Sequence, residues 1–323
     1  MQIDFRRGYS IYIKKPEDLV IAAPHSGPSV NSAIARDDHS DTLASYLWGS
    51  TGGKLIISNI SRNRLLGVDL NRDIPASKIA IENYKVFELG VDQEKIHEYM
   101  KKYAFVASSD DDYETRLRIY QNFWSEIENG RIIVLIHRAF NRLKTAPSIM
   151  DVIVFGENKN LKQHITEVVA KLNSKYFNFL QSVEKDYKQS IMSETKRAVL
   201  DILFNYNRFD LNNMGLTKRK TIELDIEKMK KYASPVLVED LRRNFTPQNF
   251  ISATENALSR MNLPQITLES VHDGSLAHGP KRKLFPSNKI VIEVESSQFL
   301  SFWHPQIGAK ILRDLIDELW YYE

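Results

Sequence analysis

The sequence predicts an α/β protein: a mixed, mainly parallel sheet flanked by helices, with a helical elaboration. Three observations predict it. Strand-like and helix-like segments alternate over the first 160 residues, and helices between strands imply crossover connections and parallel pairing. The runs at 19–23 and 131–136 are apolar throughout or nearly so, as in strands covered on both faces. Several of these runs end in a polar or charged residue, and open α/β sheets bind ligands beyond the carboxyl ends of their strands.

The elements follow in order. Strands are expected at 10–13, 19–23, 54–60, 131–136 and 150–155, and helices at 38–48 and 113–128. In Val20-Ile21-Ala22-Ala23-Pro24-His25-Ser26-Gly27 the strand must stop at Pro24, which has no N–H for a ladder. Gly27 lets the backbone turn and leaves room beside it, so His25 stands at a strand end. Residues 160–262 are charged and helix-periodic, with helices at 161–180, 193–204 and 250–261. Thr246 and Pro247 suit the cap and first turn of the last one. Strand character returns at 266–271 and 289–294. A helix over 305–319 closes the chain, with Ile307, Ile311, Leu312, Leu315, Ile316 and Leu319 on one stripe. The expected organisation is a single α/β domain over 1–323, with 160–262 as a helical insertion or covering region within it.

Composition excludes several classes. With 42% apolar and 26% charged residues the chain is globular rather than disordered. A net charge of +3 gives no reason to expect a nucleic-acid or membrane partner. There is no cysteine, which removes disulfides, thiolate metal sites and a cysteine nucleophile, so a metal would need His and carboxylate ligands. The first residues hold no apolar run of the signal-peptide kind. No stretch reaches the about 18 apolar residues of a membrane helix. A cytoplasmic protein is expected.

Candidate chemistry gathers at the strand ends. His25 precedes the acidic run Arg36-Asp37-Asp38-His39-Ser40-Asp41, and His137 ends the run Ile132 to Ile136. Two imidazoles, one carboxylate and an open position make up a hydrolytic zinc site, although acids at 37, 38 and 41 also suit a helix start. In Val68-Asp69-Leu70-Asn71-Arg72 strand alternation would put Asp69 and Asn71 on one face. Arg72 offers a planar fork for a carboxylate, or else an ion pair with Asp69 or Asp73. Arg62 and Arg64 add positive charge for an anionic substrate. Glu293, set between Ile292 and Val294, suits a general base with a raised pKa, and Glu295 shares its face. His272, Asp273, Gly274, His278 and Gly279 suggest a substrate loop. His39, His97, His164 and His304 fit surface or terminal positions.

These motifs resemble the N-formylglutamate amidohydrolase family of the zinc carboxypeptidase-like group. The resemblance is carried by Pro24-His25-Ser26-Gly27, by Arg36 to Leu43, by Ser61-Arg62, by Val68-Asp69-Leu70-Asn71-Arg72-Asp73, by the strand-end His137, and by Ile292-Glu293 with Phe299 behind it. It covers most of the first 150 residues and a short C-terminal stretch, and leaves 160–262 aside. After His137, Arg138-Ala139-Phe140-Asn141-Arg142 departs from the small polar turn usual in that family. The resemblance implies a zinc carboxypeptidase-like fold and a Zn2+ ion, or another divalent metal, on His25, Asp37 and His137, with Asp38 and Asp41 as alternatives to Asp37. It implies Asn71 and Arg72 gripping a substrate carboxylate, aided by Arg62, and Glu293 as general base. The activity implied is hydrolysis of an N-acyl amino acid or short peptide by a metal-activated water. The alternative is a non-catalytic ligand- or partner-binding protein on the same scaffold. The expected partner is a small molecule with a carboxylate; the sequence does not set the oligomeric state.

Overall fold

The computed structural model describes residues 1–15, 18–28, 36–155, 159–206, 216–271 and 289–322. The chain divides into two compact units. One comprises Met1–Ala139, Met150–Leu172 and Thr267–Glu323, and the other Phe140–Ile149 and Asn173–Ile266.

The strands are β1 (Gln2–Arg6), β2 (Tyr9–Lys14), β3 (Leu19–Ala23), β4 (Gly53–Ser58), β5 (Ile132–Ala139), β6 (Ser148–Val154), β7 (Gln265–Leu268) and β8 (Ile290–Ser297). They form an eight-stranded sheet in the order β1-β2-β4-β3-β5-β8-β6-β7. The four middle strands, β4, β3, β5 and β8, run parallel. The pairs β1–β2, β2–β4 and β6–β8 are antiparallel. The sheet is therefore mixed, with its parallel part at the centre. Every residue of β3 is buried, as a strand covered on both faces requires.

The chain leaves β3 for β4 on one side and later returns to β5 on the other. This reversal opens a crevice at the carboxyl end of β3, where open α/β sheets bind their ligands. Helix α1 (Ser40–Thr51) packs on β3, β4 and β5, and the C-terminal helix (Pro305–Trp320) packs on α1 and β5. On the opposite face Val20, Ala22, Ile133, Leu135 and Val291 meet Val68, Leu70, Phe105, Phe123 and Trp124. Each Val, Ile, Leu or Phe side chain among them contributes about 1.5–3 kcal/mol by leaving water. Trp124 also donates its Nε1–H to the Leu70 carbonyl at 3.0 Å, fastening the 68–72 segment beneath the sheet end.

Helix α2 (Ser77–Leu89), α3 (Gln93–Lys102) and α4 (Asp110–Ile127) lie between β4 and β5. Ser109 caps α4 by accepting from the Asp112 N–H at 3.2 Å. Three aspartates follow in its first turn, where the helix dipole favours them. The sequence reading located α4 but not β1, α2 or α3.

Residues 68–72 are not a strand. They form an extended piece and a turn, in which the Asp69 N–H donates to Ala104 O and the Arg72 N–H to Asp69 O.

The second unit is helical. It holds the end of α5 (Lys159–Lys175), then α6 (Phe177–Ser182), α7 (Glu184–Tyr206), α8 (Leu216–Tyr232), α9 (Pro235–Arg243) and α10 (Pro247–Arg260). The helix expected at 161–180 is thus two helices broken at Tyr176. Thr246 accepts from the Asn249 N–H and Pro247 opens α10, as the sequence implied. Phe250, Ala253 and Ala257 of α10 are buried, along with Tyr187, Ile191, Met229 and Leu241. Among the described residues no helix is long and apolar enough to cross a membrane.

Candidate metal centre

Three strand ends and two loops meet at the crevice. After β3, Ser26 donates its hydroxyl hydrogen toward Ala23 O at 2.8 Å and Ser58 O at 2.9 Å, which folds the turn back onto β3 and β4. A Cβ at Gly27 would lie 2.0 Å from the Ile60 carbonyl oxygen, so only glycine fits. The His25 carbonyl accepts from the Asp37 N–H at 2.9 Å. That bond draws the start of α1 to the end of β3. His137 comes from β5, and Glu293 and Glu295 come from β8. The register pairs Leu135 with Glu293 and His137 with Glu295, so all four share one face.

His25, Asp37 and His137 form a buried group able to hold a metal ion, with ligand atoms within 4.8 Å of one another. Asp37 Oδ2 lies 2.8 Å from His137 Nδ1 and 3.3 Å from His25 Nδ1. Each ring is steered by its other nitrogen. His25 Nε2 meets Asp69 Oδ1 at 2.8 Å. His137 Nε2 lies 2.9 Å from Asn71 Nδ2 and 3.7 Å from Glu293 Oε2. A carboxylate behind a ligating histidine fixes its tautomer and raises its basicity.

Two arginines hold the carboxylates. Arg62 Nη1 donates to Asp37 Oδ1 at 3.1 Å, and Arg64 Nη2 pairs with Asp69 Oδ2 at 2.7 Å. Burial opposes ionisation of Asp37, but hydrogen bonds from His137 and His25 and the Arg62 charge hold its carboxyl well below the usual range. Burial likewise opposes ionisation of Asp69, and the charges of Arg64, His25 and Arg62 outweigh it. Burial brings the Arg64 guanidinium down to about 10. Burial also pushes Glu295 up to about 8, with the charges of Glu293 and Asp37 adding to it against His137 and Arg62.

No family model, curated protein or solved structure matches the chain. What the site can do is therefore read from its own donors.

Of the three acids near the start of α1, Asp37 alone joins the two histidines. Asp38 instead accepts from Arg138, and Asp41 pairs with Arg36. The Asn71 amide faces His137, and Arg62 is engaged with Asp37 and Asp69. Arg72 makes no ion pair among the described residues, and its buried Nε has no hydrogen-bond partner. Tyr120 Oη donates to its carbonyl at 2.9 Å and holds the backbone there. His39 lies outside the group, with its ring 4.4 Å from Phe302. His272, Asp273, Gly274, His278 and Gly279 lie outside the described residues.

Sequence reasoning missed Asp69 as the partner of His25. A signal was present: Asp69 stands two residues before Asn71, and a short turn can aim both side chains one way. The Asn71 N–H donates to Asp69 Oδ1 at 3.0 Å, closing that turn.

Proposed function

We propose that this chain is a metal-dependent hydrolase of the zinc carboxypeptidase-like kind, cleaving the amide bond of an N-acyl amino acid or short peptide. The observation that carries the proposal is the convergence of both histidine Nδ1 atoms on one oxygen of Asp37, with Glu293 3.7 Å from His137.

The donor set suits zinc. Two imidazole nitrogens and one carboxylate oxygen within 4.8 Å of one another are the donor types that zinc takes. Asn71 supports the same reading. Its Oδ1 is buried without a partner while its Nδ2 faces His137 Nε2. Turning the amide over would let Oδ1 accept an Nε2–H, the tautomer that leaves His137 Nδ1 free for a cation. His25, Asp37 and His137 would hold the ion, which supplies Lewis acidity toward water and the amide carbonyl when bound.

The chain's own residues supply the rest. Glu293 is the candidate base, taking a proton from the attacking water and returning it to the leaving amine. Arg72, with no ion pair among the described residues, fits the carboxylate of the substrate and orients it. Arg62 stays with Asp37 and tunes that ligand instead.

The test is elemental analysis of the purified protein, of His25→Ala and of His137→Ala, together with release of free amine from N-formyl amino acids. One zinc per chain, lost in both folded variants along with hydrolysis, is the expected result. A wild type that takes up no zinc or other divalent ion would sink the proposal.

A further inference from the structure

Arg138 is the residue that departs most visibly from the small polar turn expected after His137. Its side chain is 1% exposed. The guanidinium reaches the segment that carries Asp37: Nη2 donates to the Arg36 carbonyl at 3.2 Å and Nη1 to Asp38 Oδ2 at 3.3 Å. The residues on both sides of Asp37 are thus tied to the residue that follows His137. Neighbouring strand residues point to opposite faces. His137 therefore takes the Asp37 carboxylate from one side, while Arg138 holds the surrounding backbone from the other. Arg36 extends the chain of contacts, with Nε 3.5 Å from Asp38 and Nη2 3.4 Å from Asp41 in the first turn of α1.

Residues 36–38 belong to no strand or helix. Two backbone bonds set their course, Asp37 N–H to His25 O and Ser40 N–H to Asp37 O. Neither fixes the direction of the Asp37 side chain. A ligand must be placed to within about 0.5 Å, and a planar fork gripping two acceptors supplies that precision where a point charge cannot. We infer that Arg138 is a positioning residue for the metal ligand Asp37, clamping the 36–38 segment onto β5. The inference rests on the metal reading above.

The test is zinc affinity, measured by chelator competition on the metal-free protein, with the visible spectrum of the cobalt-loaded form as a report on ligand geometry. Arg138→Gln should weaken zinc about 10–100-fold, as loss of a residue supporting a ligand does, and should alter the cobalt bands. Arg138→Lys should recover only part of the affinity. In an Asp37→Ala background Arg138→Gln should change nothing more. If Arg138→Gln fails to fold, Asp38→Asn removes one arm of the clamp from its half-exposed end and should weaken zinc in the same direction. Unchanged affinity in Arg138→Gln, or in Asp38→Asn should that variant be needed, overturns the inference. So does an equal loss with and without Asp37. A wild type that binds no divalent ion overturns the metal reading itself, and is told apart from these outcomes by the wild-type titration alone.

Discussion

Asp225 in the helical unit and Asp37 in the sheet unit are both buried carboxylates, yet their surroundings differ. Asp225 accepts from Arg142 Nε at 3.0 Å, from Arg142 Nη2 and from the Lys144 N–H at 2.9 Å. One anion meets one cation and one backbone donor. Asp37 has two imidazoles on one oxygen and Arg62 on the other, with Glu293 close to His137. Beside it, Asn71 Oδ1 and Arg72 Nε are buried and have no hydrogen-bond partner. Buried charge that is matched atom for atom serves the fold. Under the proposed function the Arg72 donor is the group left for a substrate, while Asn71 Oδ1 turns to His137.

The contrast can be broken or sharpened by substitution. The largest effect is expected at Glu293. Glu293→Gln should lower turnover about 10²–10⁴-fold while zinc content stays at the wild-type level. Unimpaired hydrolysis by that variant would remove Glu293 from the mechanism. Next comes the helical unit. Arg142→Ala leaves Asp225 buried without its cation, at a cost of about 3–5 kcal/mol, read from denaturant melts. Metal content per folded molecule should not change, and a loss of metal would mean that the two clusters are not separate in role.

A smaller effect is expected at Asp69. Asp69→Asn keeps the shape but not the charge behind His25, and zinc affinity should fall about 10–100-fold. Wild-type affinity would reduce Asp69 to a partner of Arg64.

The smallest effect is the pH dependence set by Glu295. Its carboxyl stands at about 8 against the usual 4.5. Between those values the unfolded chain has lost this proton and the folded metal-free protein keeps it. The folded state binds more protons there, so stability falls as pH rises through the window. Asp37 and Asp69 act in the opposite sense. Their lowered values confer stability that is present above the ordinary carboxylate range and lost as pH falls below it. Glu295→Gln should flatten the upper limb of a thermal-melt profile and leave the acid limb alone. Parallel profiles for the two proteins from about pH 5 to 8 would contradict the assignment.

The fold was readable where local chemistry is strong. The strand at 19–23 and the cap of α10 coincide with the reading because an apolar run before proline, or Thr-Pro before a periodic stretch, leaves little choice. Residues 68–72 look like a strand by alternation but are held as a turn by the Ala104 carbonyl and by Asp69's own side chain. Helices α2 and α3 escaped notice because little of either is buried: only Ala80 in α2 and Tyr99 in α3.

The sequence by itself determined that β3 stops before Pro24, which admits no further ladder, and so that His25 stands at a strand end. His137 and Glu293 stood out as polar residues in apolar runs, but they lie inside β5 and β8, which continue to Ala139 and Ser297. Only the tertiary structure decided that Asp37 rather than Asp38 or Asp41 faces the two histidines, that Asp69 backs His25, and that Arg138 ties residues 36–38 to β5. Three acids within five residues are chemically equivalent in a linear chain. Strand register and the bond from the Asp37 N–H to the His25 carbonyl are what make them different.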